Sequence, residues 1–333
     1  MVKKDRVSII VTVRNEEKNI PFLLEGLLKQ SYHFEEIVIN DNGSTDKTVE
    51  IIRGYQSQYK CIKLIESGGR SIGEGRNTAI ANSCGDILAV IDAGIYPENT
   101  WLEKVITPIS ENPELDVVWG HVIFDTKSRI VPSTNLSKAL VFLAKHPEDR
   151  KNGRNVPSSA FRRKVWEDLG GFPEIQLPIE DLFLIDTIKK MGYKVAYANN
   201  ANAYYFSYPN DYHTVFRKWI VSACSSFVAK KSELGFFRQF FIFGLFFFSI
   251  LLIMMNIRMI IFALLYIILY LAYRAKLNME LAKEVFTSPR LFITVLKLFF
   301  TLNFARLLGV IKALSLFVRG RQPKVIQKHR IVT

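Results

Sequence analysis

Val7–Val13 reads VSIIVTV, a short β-branched run with polar residues on both sides, and predicts a first strand. The period then changes. Leu23, Leu24, Leu27 and Leu28 recur at helical spacing within Ile20–Gln30, with Pro21 at an early position that a helix tolerates. Ile37–Asn40 returns to strand character. DNGSTD follows as a turn, in which Thr45 or Asp46 caps a helix running to about Gln58. Ile62–Ile65 predicts a third strand, Ile72–Asn82 a helix and Ile87–Ile91 a fourth strand. Alternating strands and helices predict an α/β fold with a mostly parallel sheet covered on both faces. Ligands of such a sheet bind at the carboxyl ends of its strands.

Residues 131–235 are less regular. VPSSAFRRKVWEDLGGFPE predicts a strand, a short helix ending at Gly170-Gly171 and a loop. EDLFLIDTIKKMGYKV predicts an amphipathic helix stopped at Gly192, then a strand, and Asp211–Lys231 predicts a further helix.

Beyond that the polar positions almost vanish. Phe236–Asn256 carries one charge, Arg238, in 21 residues, a length of about 31 Å that matches one bilayer core. Ile257–Tyr273 is 17 residues, the lower limit for a span, and no acid occurs between Glu233 and Glu280. The two segments predict a transmembrane hairpin over 236–273. Leu291–Val318 is also apolar but is interrupted by Lys297, Arg306 and Lys312, which favours a helix lying in the interface over a span.

Composition sharpens this division. Of the net charge of +13, +10 falls between Arg274 and Thr333, where 12 Lys/Arg face only Glu280 and Glu284. A basic segment beside a hydrophobic one suits anionic lipid headgroups and argues against a nucleic-acid partner. The hairpin puts the N-terminal domain and the basic tail on one side, the cytoplasmic side by the positive-inside tendency. The N-terminus is basic and then apolar, but the apolar run ends at Arg14, too short for a signal peptide. Cys61, Cys84 and Cys224 form neither a metal pattern nor a disulfide framework, and the five histidines show no ligand spacing. Three segments are therefore predicted: a catalytic domain over 1–235, the hairpin over 236–273, and a basic amphipathic tail over 274–333.

Several polar groups fall at strand ends, which are neighbours in a parallel sheet. Arg14, Asn15 and Glu16 follow the first strand, Asp41 ends the second, Arg76 precedes the fourth and Asp92 ends it. A carboxylate such as Asp41 suits a base N–H or ribose hydroxyls, and Arg76 suits a phosphate. The same residues also serve as turn residues, caps and solvated charges. GGRSIGEGRN is not a dinucleotide fingerprint: Gly73 and Gly75 give G-x-G, but Thr78 stands at the third position and no strand leads directly into it.

In order along the chain, VSIIVTVRNEEKNI, EEIVINDNGSTDKTVEII, GEGRNTAIANSCGDILAVIDAG, SSAFRRKVWEDLGGFPE and EDLFLIDTIKKMGYKV resemble the inverting family 2 glycosyltransferases of GT-A fold, over roughly residues 5–220. The resemblance implies a nucleotide-diphosphate sugar donor. Val13, Asn15, Glu16 and Asp41 would hold the nucleoside, and Arg76 and Asp92 would lie near the ribose and diphosphate. The family's D-x-D becomes Asp92-Ala93-Gly94, so the second carboxylate, commonly a ligand of Mg²⁺ or Mn²⁺, is absent. Asp92 would then hold a metal with the help of phosphates and waters, or cations such as Arg76 and Arg162 would offset the leaving-group charge, or the site would be inactive. The resemblance implies that Asp181 of Glu180-Asp181 is the base taking a proton from the acceptor hydroxyl; an acidic pair at a helix start also has a purely structural use. In VFRKW, Val215 and Lys218 depart from the Q-x-x-R-W of processive synthases. Arg217, Lys218 and Trp219 would contact phosphate or rest on the membrane. The expected function is transfer of a sugar to a membrane-associated acceptor, a lipid-linked sugar or glycan hydroxyl. Transfer onto a polyprenyl phosphate and a non-catalytic sugar-nucleotide-binding or scaffold subunit are the alternatives.

Overall fold

The computed structural model describes residues 5–69, 71–144, 156–175, 180–229 and 260–318. The chain alternates as predicted through β1 (Val7–Val13), α1 (Ile20–Leu28), β2 (Glu36–Asp41), α2 (Thr48–Gln58), β3 (Ile62–Glu66), α3 (Ile72–Ala81) and β4 (Ile87–Ile91). Three elements that the hydrophobic pattern did not delimit follow: β5 (Ile95–Pro97), α4 (Trp101–Glu111) and β6 (Val117–Phe124). After α5 (Asn135–Ala144) come β7 (Ser158–Arg162), α6 (Arg163–Asp168), α7 (Glu180–Lys190), β8 (Val195–Tyr205) and α8 (Tyr212–Ala229), then α9 (Ile260–Leu277), α10 (Met279–Thr287) and α11 (Pro289–Val318).

These elements form two units. The first comprises the described residues within 5–132 and 156–207; the second comprises 133–144, 208–229 and 260–318. The division does not coincide with the expected boundary at residue 235, because α5 and α8 belong to the second unit. Phe236–Asn256 lies outside the described residues, as do residues 257–259 of the second expected span.

The first unit is an eight-stranded sheet of order β3-β2-β1-β4-β7-β6-β8-β5. β3, β2, β1 and β4 are mutually parallel, whereas β7 runs antiparallel to both β4 and β6. The middles of β1 and β2, Ile9–Val11 and Ile37–Ile39, are apolar at consecutive positions because both faces are covered. Ile9, Val11, Ile37 and Ile39 join Leu23, Leu27, Ile52, Trp101 and Val105 in one core. Ile10 and Val38 turn to the other face and join Ile80, Val90, Trp119, Leu184 and Ile188.

The second face is where backbone position becomes critical. Ser71 caps α3, its hydroxyl accepting from Glu74 N, and S-x-x-E is the corresponding sequence signal. A Cβ on Gly75 would lie 2.6 Å from Thr12 Cγ2, and one on Gly73 would lie 2.1 Å from the Pro173 carbonyl oxygen. The G-x-G of this segment is thus a packing device that brings α3 against β1 and against the Gly-Gly-Phe-Pro loop. Asn77 fastens that loop: its Oδ1 accepts from Phe172 N at 2.7 Å and Trp166 Nε1 at 3.0 Å, and its Nδ2 donates to Phe172 O at 2.9 Å. Gly170 and Gly171 take φ of 68° and 94° to make the bend.

In the second unit, Gly309 of α11 meets α8 closely; an added Cβ would lie 2.6 Å from both Ala223 Cβ and Ile220 O. The rings of Tyr270 of α9 and Phe299 of α11 lie 5.2 Å apart, tilted by 55°, and buried Arg274 Nε donates to Phe142 O of α5 at 2.7 Å. Among the described residues, one helical segment, Pro289–Ala313, is long and apolar enough to cross a membrane. On it, Lys297 and Lys312 are exposed and Arg306 is half-buried.

Gly73→Ala is expected to cost about 1–3 kcal/mol, because the new methyl meets backbone rather than a flexible side chain. Gly54→Ala, on α2 with no atom within 4 Å of the added Cβ, is expected to stabilise by about 0.5–1 kcal/mol through helix propensity. Urea unfolding of the two variants measures both, and equal effects at the two positions would contradict the docking of α3.

Candidate active site

The tight seat of α3 drives Arg76 into the protein, where it is 1% exposed. Its guanidinium fork reaches two carboxylates at once. Nη2 donates to Asp92 Oδ1 at 2.9 Å and Nη1 to Asp181 Oδ1 at 2.7 Å, with Glu180 Oε1 3.7 Å from Nη1. The Phe172 ring lies 5.2 Å from the guanidinium carbon, within cation–π reach. Burial lowers the pKa of Arg76, but Asp181, Asp92 and Glu180 outweigh it, and the net shift is upward. The end of β4 and the start of α7 are therefore held by one buried cation, with the partly exposed Asp92 and Asp181 facing outward.

Glu180 is 4% exposed. Burial, reinforced by the charge of Asp181, raises its pKa to about 7 despite the opposing pull of Arg76. A buried acid with a neutral-range pKa beside two further carboxylates is the kind of perturbation that clusters at functional sites.

Two strands away, the loops after β1 and β2 are stitched together. Val13 pairs with Asp41 in register. Asp41 is 3% exposed and closes its own turn, with Oδ2 accepting from Gly43 N and Ser44 N at 2.9 Å and Oδ1 from Ser44 Oγ. Asn15 adopts φ 56°; its Oδ1 accepts from Thr45 N at 2.8 Å and its N–H donates to Ser44 Oγ at 2.8 Å. Glu16 N donates to Thr48 Oγ1, and Glu16 Oε2 accepts from Asn19 Nδ2 at 2.6 Å. These four residues share one strand-end loop pair, and each has a turn-holding or loop-joining partner. Ala93 is buried behind Asp92.

Other expected site residues are not brought to this cluster. Arg162 pairs with Ile87, at the end of β4 opposite Asp92. Its Nη2 donates to Ile109 O at 2.8 Å and its Nε to Leu115 O at 3.0 Å, closing the end of α4. The expectation that Arg162 offsets leaving-group charge is therefore corrected. β7 runs antiparallel to β4, so its C-terminal end lies at the wrong edge. Arg217, Lys218 and Trp219 lie on α8 in the second unit, with Arg217 and Lys218 exposed. Sequence reasoning passed over Asn77, Phe172 and Ser207. The first two are signalled only by adjacency to Arg76 and to Gly171. Ser207 carries no local signal.

The donor set does not fit a resident divalent metal. Asp92 offers one oxygen beyond the one held by Arg76, Gly94 offers none, and among the described residues no three His, Cys, Asp or Glu side chains are grouped to hold an ion.

The comparisons agree with this architecture. The sequence profile described as Glycosyl transferase family 2 matches residues 8–170, and that described as Glycosyl transferase family group 2 matches residues 153–275. Glycosyltransferase AglE of Haloferax volcanii is 30% identical over 197 residues, 58% of this chain and 64% of that one, so the match spans just under two thirds of that relative. The O-antigen chain rhamnosyltransferase RfbN of Salmonella typhimurium is 23% identical over 240 residues, 68% of this chain and 75% of that protein. The structure of the mannosyltransferase PcManGT from Pyrobaculum calidifontis, solved with GDP-Man and Mn²⁺, is 18% identical. It superposes with a TM-score of 0.56 over 94% of this chain and 88% of its own, a likeness of fold. With an open mixed sheet, two overlapping family profiles and relatives named as glycosyltransferases, the chain carries a glycosyltransferase family 2 domain.

Proposed function

We propose that the protein is an inverting glycosyltransferase that moves a sugar from a nucleotide-diphosphate donor onto a hydroxyl of a membrane-associated acceptor, with Asp181 as general base. The observation that carries this reading is the fork of Arg76, which joins a carboxylate at a strand end to one at a helix start. The nucleoside would occupy the edge formed by Val13, Asn15, Glu16 and Asp41, and the diphosphate would lie toward Asp92. The acceptor oxygen attacks C1 of the sugar, the bond from C1 to the diphosphate oxygen breaks, and the nucleoside diphosphate leaves. The acceptor's proton passes to the Asp181 carboxylate, which Arg76 orients. Glu180, kept near neutrality beneath it, positions this pair without adding a full negative charge.

A membrane-bound acceptor is supported by two exposed apolar stripes in the second unit. Ile261, Leu264, Leu265, Ile268 and Leu269 lie along α9; Ile293, Phe300, Phe304 and Ile311 lie along α11. Apolar stripes of this extent, flanked by Lys297 and Lys312, suit an interface with anionic lipid. Bilayer attachment raises the local concentration of a lipid-linked acceptor. Arg217, Lys218 and Trp219 are assigned to phosphate or headgroup contact on the same chemistry.

Asp181→Asn is expected to lower turnover by about 100-fold or more with a hydroxyl acceptor, measured by transfer of labelled sugar from a donor panel into a lipid extract. A polyprenyl phosphate acceptor is already an anion, so a variant that keeps near-normal turnover overturns the hydroxyl reading in favour of that one. Binding of donor with neither transfer nor hydrolysis would instead identify a scaffold subunit.

Glu180 makes a separate prediction. Its folded pKa lies above that of the unfolded chain, so the unfolded state releases the proton first as pH rises. The stability that the protonated form contributes is complete below about pH 4.5 and is lost as pH climbs through about 7. Glu180→Gln lacks this titration. Its unfolding free energy should gain on that of the wild type by on the order of 2 kcal/mol between these limits. Parallel pH curves would contradict the assignment.

A further inference from the structure

The ladder between β1 and β4 stops short of the site. β1 stays paired with β2 up to Val13 and Asp41, but its last partner on β4 is Val90, opposite Ile10. The two strand ends that would face the nucleoside are therefore fixed to each other. Asp92 instead leaves the ladder on a turn of its own, closed by Ile95 N donating to Asp92 O at 3.2 Å. Pairing with β1 does not set where that turn stands relative to the nucleoside edge.

Asn19 supplies a link across this gap. It stands at the N-cap of α1, where an asparagine side chain commonly accepts from the first turn, yet it makes no cap hydrogen bond. Its Nδ2 donates instead to Glu16 Oε2 at 2.6 Å and to Ser207 Oγ at 2.8 Å. Ser207 in turn abuts the Asp92 turn. A Cβ built on Gly94 would lie 2.6 Å from Ser207 Cβ, and Phe206 N donates to Gly94 O at 3.2 Å. The Phe206 ring packs edge-on against Phe22 of α1 at 5.4 Å, and Tyr205 Oη donates to Ser207 O at 2.8 Å. The loop after β1 has a seat that does not need Asn19: Asn15 N donates to Ser44 Oγ, Glu16 N to Thr48 Oγ1, Glu17 N to Asp46 Oδ2, and Thr45 N to Asn15 Oδ1.

We propose that Asn19 is a positioning residue, which ties the turn of Asp92 to the nucleoside-side loop through Ser207 and so sets where the diphosphate end of the donor lies. This role rests on the nucleotide-diphosphate donor proposed above. Because the nucleoside edge is held independently, breaking the link leaves nucleoside binding intact and weakens only ligands that reach the turn. A residue that merely supported the fold would affect both alike.

Calorimetry on the full chain tests this with UDP, GDP and dTDP. The nucleoside of whichever binds most tightly is then measured by competition, at whatever concentration displaces half of the diphosphate. Asn19→Ser keeps a residue suited to an N-cap but is too short to reach both partners. Ser207→Ala removes the acceptor and keeps its Cβ seated against Gly94, so it cuts the same link from the other side. Each variant is expected to weaken the diphosphate about fivefold, the worth of one hydrogen bond, while nucleoside affinity stays within about twofold. The double variant should bind the diphosphate no more weakly than either single, because both cut one link. Diphosphate affinities that do not change, singles whose losses add in the double, or equal losses for nucleoside and diphosphate each overturn the inference and leave the donor reading intact. A nucleoside that fails to compete in the wild type removes the separate nucleoside seat and overturns it as well. Wild-type protein that binds none of the three diphosphates overturns the donor reading itself.

Discussion

The site depends on a single buried guanidinium shared between two carboxylates. Arg76 presents donors in a rigid planar fork, so it can satisfy Asp92 with one arm and Asp181 with the other. A lysine ammonium concentrates its charge at one point and has no such geometry. Loss of both carboxylates is costly, because it strips a buried charge of the counterions that replace solvent around it. The shared guanidinium sets the spacing between the strand end that would face the donor and the helix start that would face the acceptor.

That spacing is in turn set by atoms that perform no chemistry. Gly73 and Gly75 let α3 approach the Pro173 carbonyl and Thr12, and the Asn77 amide fastens the loop that carries Phe172 beneath the guanidinium. A second interlock, Gly94 against Ser207, shapes the other side of Asp92. Both depend on glycine for close approach of backbone to its neighbours, and together they explain why so small a set of carboxylates is held at defined separations.

Much of the first unit was legible in the sequence. β1 to β4 declared themselves because a sheet covered on both faces favours short runs rich in Ile, Val and Leu, and such runs stand out. Asp92, Asp181 and Arg76 could each be singled out by position in the predicted topology. Their mutual contact could not, since it depends on how far α7 approaches α3 through a loop whose path periodicity does not specify. Arg162 was misread because adjacency to a motif says nothing of strand direction: β7 is antiparallel to β4 and delivers it to the opposite edge. The meaning of Gly94 lay in Ser207, far along the chain. α5 and α8 were grouped with the catalytic segment by order in sequence, whereas their packing assigns them to the second unit.

The most direct measurement of the central claim is a double-mutant cycle on unfolding free energy with Asp92→Asn, Asp181→Asn and the pair. If one guanidinium serves both carboxylates, either partner alone still neutralises Arg76, and the paired variant should lose more stability than the two singles together, by about 0.5–3 kcal/mol. Losses that add to within about 0.3–0.5 kcal/mol would mean that the two carboxylates act independently, and would contradict the single shared site.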